Sequence, residues 1–134
     1  MNIFVDGSYS PQMKFGTGAY IIVSSEKMME LSKLTISELK IAVEPLIKYY
    51  VFKEAKGSTD VEQQCLLLAL QAVNTTQPIV VYTDCQKAQT TKAYNVIHIE
   101  GHTKQVNRIG YEKIFDVIDK KVRKYLRKMV KQYI

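Results

Sequence analysis

Cysteine is scarce in this chain of 134 residues, which holds only Cys65 and Cys85. Two thiols are too few for a disulfide scaffold, and nothing points to export, so an intracellular, reduced, cytoplasmic protein is expected. Histidine is equally sparse, with His98 and His102 alone, and no His/Cys set accompanies the acids, which argues against a zinc centre. No apolar run approaches the roughly 20 residues that span a bilayer. The chain enters a strand-like run at once, with no basic-then-apolar leader. No internal repeat or linker interrupts it. What remains is ordinary globular material, 46% apolar and 24% charged, which disfavours disorder and coiled coil alike. One domain of this length buries roughly two-thirds of its unfolded surface.

Charge is unevenly placed. Residues 1–100 carry 9 Lys/Arg against 10 Asp/Glu, whereas residues 101–134 carry 10 basic and 3 acidic side chains. The entire net charge of +6 is thus concentrated in the last quarter. That asymmetry suggests a polyanionic partner, nucleic acid first, and no membrane.

In chain order, Asn2-Ile3-Phe4-Val5 reads as a buried strand ending at Asp6, followed by Gly7, Ser8 and a break at Pro11. A second β-rich run covers 15–23. Residues 27–34 read as a third antiparallel strand after a tight turn at Ser24-Ser25-Glu26. The segment 36–56 is atypical: Pro45 interrupts a helical spacing, while Ile47, Tyr49 and Val51 alternate, so a short helix and then a strand are preferred. Gly57-Ser58-Thr59-Asp60 precedes an apolar helical stripe to about residue 73, on which Glu62, Cys65 and Ala69 lie along one inward line. Ile79 to Thr83 form a nearly all-apolar strand that ends at Asp84, as in the parallel part of an α/β sheet. A short helical turn over 86–93, a strand over 95–100 and a polar loop from Gly101-His102 follow. A long amphipathic helix over about 111–132 closes the chain. The order predicts one three-layer α/β domain over 1–134.

Four acids share one circumstance. Asp6 and Asp84 end apolar strands, and Glu62 and Asp119 border the buried stripes of helices. Ligands fall outside the carboxyl ends of strands in open α/β sheets. Clustered carboxylates repel one another unless a cation neutralises them, and an all-oxygen donor set suits Mg²⁺ or Mn²⁺.

These residues carry a resemblance. Phe4-Val5-Asp6-Gly7-Ser8, Gly16-Thr17-Gly18-Ala19, Glu62 with Ala69-Leu70, Tyr82-Thr83-Asp84-Cys85, Gly101-His102 and Phe115-x-x-Ile118-Asp119-x-x-x-Arg123 appear in the order of the type 1 ribonuclease H motifs. The chain resembles that family over almost all its length, apart from roughly 36–56. The resemblance implies a mixed five-stranded sheet, three antiparallel N-terminal strands and two parallel ones, flanked by helices. It also implies a monomeric endonuclease, with no obligate protein partner, that hydrolyses the RNA strand of RNA–DNA hybrids with two Mg²⁺ ions, Mn²⁺ being a possible substitute. Asp6 would bridge the ions, Glu62 and Asp84 would complete one site, Asp119 the other, and His102 would assist proton transfer or product departure. Gly7 and Ser8 would contact the RNA strand, Gly7 through a backbone bare of Cβ.

The chain also departs from the family pattern. Cys85 stands where serine is usual. Only 17 residues separate Asp84 from His102, leaving no room for the basic handle of many relatives. The set Lys120, Lys121, Arg123, Lys124 and Arg127, continued by Lys128 and Lys131, is expected to supply the grip instead. Asp116 competes with Asp119 as fourth acid, and Asp119 fits better because it neighbours Phe115 and Val122. Two other readings stay open on the same fold: a structure-selective DNA nuclease of the Holliday-junction resolvase type, and a non-catalytic nucleic-acid-binding module.

Overall fold

A long β-hairpin forms the centre of the molecule. The computed structural model describes residues 1–100 and 110–133. Strands β1 (Asn2–Ser10) and β2 (Phe15–Val23) pair antiparallel along their whole length, with Asp6 opposite Ala19 and Ser8 opposite Thr17. Strand β3 (Lys48–Lys53) extends the sheet antiparallel beyond β2. On the other side β4 (Ile79–Thr83) runs parallel to β1, and β5 (Tyr94–His98) parallel to β4. The order β3-β2-β1-β4-β5 is the ribonuclease-H-like mixed sheet expected from the sequence.

Alternation along β1 divides its side chains between two cores. Ile3 and Val5 face Cys65, Leu66 and Ala69 of helix α3 (Ser58–Ala72). Phe4 faces the opposite layer and stacks on Tyr82 at 4.4 Å. There it meets Ile114, Phe115 and Ile118 of helix α4 (Tyr111–Gln132) and the short helices α1 (Ser25–Ser32) and α2 (Ile36–Val43). Because side chains alternate with a period of two, Asp6 belongs to the Phe4 side, under α4, and Gly7 to the α3 side.

Two local readings need correction. Residues 27–34 are not a strand, since 25–32 form α1. The span holds no β-branched residue, Ser24 caps the helix by accepting from the Lys27 N–H at 3.1 Å, and Met28, Leu31 and Leu34 meet the core at helical spacing. The third antiparallel strand is β3, and the preferred reading of 36–56 holds. Helix α2 has a capping box between Thr35 and Glu38, a 3₁₀ turn takes up Pro45, and β3 follows. Residues 86–93 form turns rather than a helix, with Thr90 and Thr91 hydroxyls accepting backbone N–H groups of Val96 and Ala93. Side-chain bonds of this kind compete with helical ones. Helix α3 begins without a side-chain cap, and Asp60 instead accepts the Lys56 N–H at 2.9 Å.

Helix α3 sits unusually close to the hairpin. A Cβ on Gly16 would lie 2.3 Å from a Val61 methyl and 2.7 Å from the Ser8 carbonyl oxygen, and one on Gly7 would lie 2.8 Å from Val61 and 3.0 Å from Glu62 Cγ. The missing side chains form a notch that lets the first turns of α3 drop onto the sheet. Across the sheet the Thr17 hydroxyl donates to the Val122 carbonyl of α4 at 3.2 Å, so β2 also pins the second layer. Gly16→Ala is expected to destabilise the fold by roughly 1–3 kcal/mol through overpacking. Adding Val61→Ala should recover part of that loss in a double-mutant cycle read by denaturant unfolding. Additive losses would mean that the two residues do not share the notch.

Candidate metal centre

The four acids arrive from four elements. Asp6 lies in the middle of β1 rather than at its end, because β1 continues to Ser10. The parallel pairing with β4 runs only to Phe4–Tyr82, so Asp6 sits just past the end of β4, where Asp84 leaves the sheet. Glu62 comes from the first turns of α3 through the glycine notch, and Asp119 from α4 above. Ligand oxygens of Asp6, Glu62 and Asp84 lie within 4.8 Å of one another, a group able to hold a metal ion. Asp119 lies within hydrogen-bonding reach of Asp6. Asp116, one turn earlier, pairs with Lys120 at 3.4 Å, and Asp119 itself pairs with Arg123 at 3.3 Å.

The electrostatics follow from the packing. Asp6 is 1% exposed. Burial first, then its hydrogen bond to Asp119 and the charges of Asp84, Asp119 and Glu62, push its pKa well above the usual carboxylate range. Burial and then Asp84 raise Glu62 to about 7. Burial and then Asp119 raise Asp84, while Arg123 opposes the rise. Asp6 Oδ2 and Asp84 Oδ1 are buried without a hydrogen-bond partner. Such orphaned oxygens are costly in an interior, and a hard divalent cation is the partner this all-oxygen set fits.

Two neighbours carry more than the sequence suggested. The Cys85 thiol hydrogen-bonds with Glu62, a contact that its position directly after Asp84 made findable. Burial, and then the charges of Asp6 and Glu62, push the Cys65 thiol up to about 12, so it stays protonated under Gly18. The space a Gly7 side chain would need is filled by Val61 and Glu62, so the residue's bareness serves helix packing. Ser8 pairs with Thr17 beyond it. His98 bonds to the Ala88 carbonyl at 3.0 Å. His102 lies outside the described residues. Lys120, Lys121, Arg123, Lys124 and Arg127 all line α4 beyond Asp119, where Lys121 pairs with Glu44. Among the described residues no helix is long and apolar enough to cross a membrane, and Cys65 and Cys85 are free and buried.

The raised acids set a pH dependence. Unfolded carboxyls ionise near pH 4, whereas in the fold Glu62 holds its proton to about pH 7 and Asp6 and Asp84 are shifted the same way. The native state therefore binds more protons than the unfolded one between about pH 4 and 7, and stability falls as pH rises through that window. In chelator, the melting temperature is expected to drop between pH 5 and 8, at roughly 3–6 °C per kcal/mol lost. Mg²⁺ or Mn²⁺ should restore it at pH 8, and Asp6→Asn should flatten the profile. A chelated protein whose melting temperature rises over that range would contradict the site. No protein-family model matches this chain, and no curated protein matches its sequence.

Proposed function

We propose that the chain is a metal-dependent endonuclease of the ribonuclease H type that hydrolyses the RNA strand of RNA–DNA hybrids. The observation that carries this reading is the convergence of Asp6, Glu62 and Asp84 within 4.8 Å, with Asp119 against Asp6. Motifs far apart in sequence supply one oxygen-rich site on a sheet of ribonuclease-H-like order. A binding module has no need to bury acids that repel one another.

Asp6, Glu62 and Asp84 would hold a metal ion between them, and Asp119, within hydrogen-bonding reach of Asp6, would add a fourth carboxylate. A pair of Mg²⁺ ions held there would supply a lowered pKa for the attacking water and charge neutralisation at the leaving 3′-oxygen. The protein's part is to hold the donors rigid. Asp6 is anchored within the β1–β2 ladder, Glu62 by the seat of α3 and the Cys85 thiol, and Asp119 by the packed face of α4. Arg123, paired with Asp119 at 3.3 Å, orients that carboxylate and adds positive charge beside it. Preference for RNA would depend on contacts to the 2′-hydroxyl, with little reading of base sequence.

The test is cleavage of a labelled hybrid against duplex DNA, duplex RNA and a four-way junction, with Mg²⁺, Mn²⁺ or chelator. Hybrid should be cut in the RNA strand only, and only with metal. Asp6→Asn should lower kcat about 10²–10³-fold, the order of loss when one preorganised group that stabilises transition-state charge is removed. Asp119→Asn should follow it, while Asp116→Asn should stay within about threefold. Selective cutting of the junction would transfer the site to a DNA resolvase, and binding without cutting under either metal would end the enzyme reading.

A further inference from the structure

Helix α2 and the C-terminal half of α4 leave between them a cleft of about 1250 Å³ that the acid cluster does not use. Lys40 and Ile41 form one wall, Lys124, Lys128 and Lys131 the other, and Tyr49 of β3 and Tyr125 of α4 line the space between. A smaller hollow shares Lys40, Lys121, Lys124 and Arg127 with it and runs back to Arg123. Arg123 in turn pairs with Asp119 at 3.3 Å, so the hollow ends one ion pair away from the acids. From Asp119 to Lys131 the helix rises roughly 18 Å, room for several nucleotides.

Two features separate this cleft from an ordinary solvated helix face. The first is unbalanced charge. Among the described residues Glu44 is the lone acid in the lining, and it is engaged by Lys121 and the Tyr49 hydroxyl. Lys124, Arg127 and Lys128 have no acidic partner among the described residues. The second is apolar surface set among these cations. The rings of Tyr49 and Tyr125 lie 4.7 Å apart, and Ile41 at the mouth is 77% exposed. Cations alone would suit any polyanion. Cations bordering aromatic and aliphatic surface suit unpaired bases, which need a seat for their π-faces while their phosphates follow the positive groove. A duplex keeps its bases stacked inside and has no use for such surface.

We propose that the α2–α4 cleft binds single-stranded polynucleotide of any sequence, seating an unpaired tail that continues from the strand held at the acid cluster. The continuity rests on the nuclease reading above, but the binding does not. Fluorescence anisotropy on the full chain in chelator, with labelled oligo-dT, oligo-U and a blunt duplex, tests it. Oligomer affinity should fall steeply with salt. The double variant Lys124→Gln/Lys128→Gln should weaken it at least tenfold and lower the salt slope by one to two. Tyr125→Leu should weaken oligomer binding about five- to tenfold, in line with the loss of base stacking, and change duplex binding less than twofold. Ile41→Glu, at a position too exposed to disturb folding, should also weaken oligomer binding, and melting curves check every variant. Oligomer binding untouched by Lys124→Gln/Lys128→Gln and Ile41→Glu would overturn the proposal. So would tighter duplex binding with the same sensitivities, or displacement of oligomer by polyglutamate at lower concentration than by unlabelled oligomer. Wild-type cleavage of blunt hybrid, measured separately with Mg²⁺, distinguishes a failed cleft from a failed nuclease reading.

Discussion

Mutual repulsion among buried carboxylates is the constraint on which the rest of this structure depends. Asp6 is nearly inaccessible, and Glu62, Asp84 and Asp119 all act on it in the direction that disfavours its charge. In water such groups would move apart. Here each is fixed by an element held elsewhere, so the strain is carried by the fold and relieved only by protons or by a cation. Stability is given up at neutral pH to keep together oxygens that could hold a metal ion.

The surrounding architecture follows from keeping those oxygens in place. Glycine at 7 and 16 opens the notch through which Val61 and Glu62 approach β1 and β2. Thr17, wholly buried, ties β2 to the α4 backbone from the other face. Helix α4 then has two duties. Its first half presents Asp119 over Asp6, and its second half carries cations away from the cluster toward β3, where Tyr125 meets Tyr49. Ala19 pairs with both Asp6 and Tyr49, so acids and basic cleft lie along one line across the sheet.

Much of this was legible in the residues. Alternation and apolar runs predicted β1, β2, β4 and β5, and the α3 and α4 stripes predicted their buried faces. Acid placement at strand ends and stripe borders predicted which carboxylates meet. What misled was local chemistry overruled by context. The apolar residues of 27–34 fit a strand as readily as a helix until Leu31 is seen buried between β-sheet and α4, and the absence of β-branched residues was the available signal. Asp6 read as a strand end because its polarity breaks the apolar run, yet β1 continues through it as the partner of the whole of β2. Residues 86–93 lack the apolar spacing of a helix, and threonine hydroxyls take their backbone groups instead. The α2–α4 cleft was invisible because it joins residues separated by some eighty positions, such as Lys40 and Lys124, with no local pattern to announce it.

On the proposed function, a divalent cation held by Asp6, Glu62 and Asp84 displaces their protons. Isothermal titration of Mn²⁺ into the chelator-stripped protein at pH 6.5, in two buffers of different ionisation enthalpy, tests it most directly. The account predicts binding accompanied by net proton release, because carboxyls held protonated by burial must ionise to ligate, and loss of both signals in Asp6→Asn. Binding without proton release, or binding that survives Asp6→Asn unchanged, would contradict it.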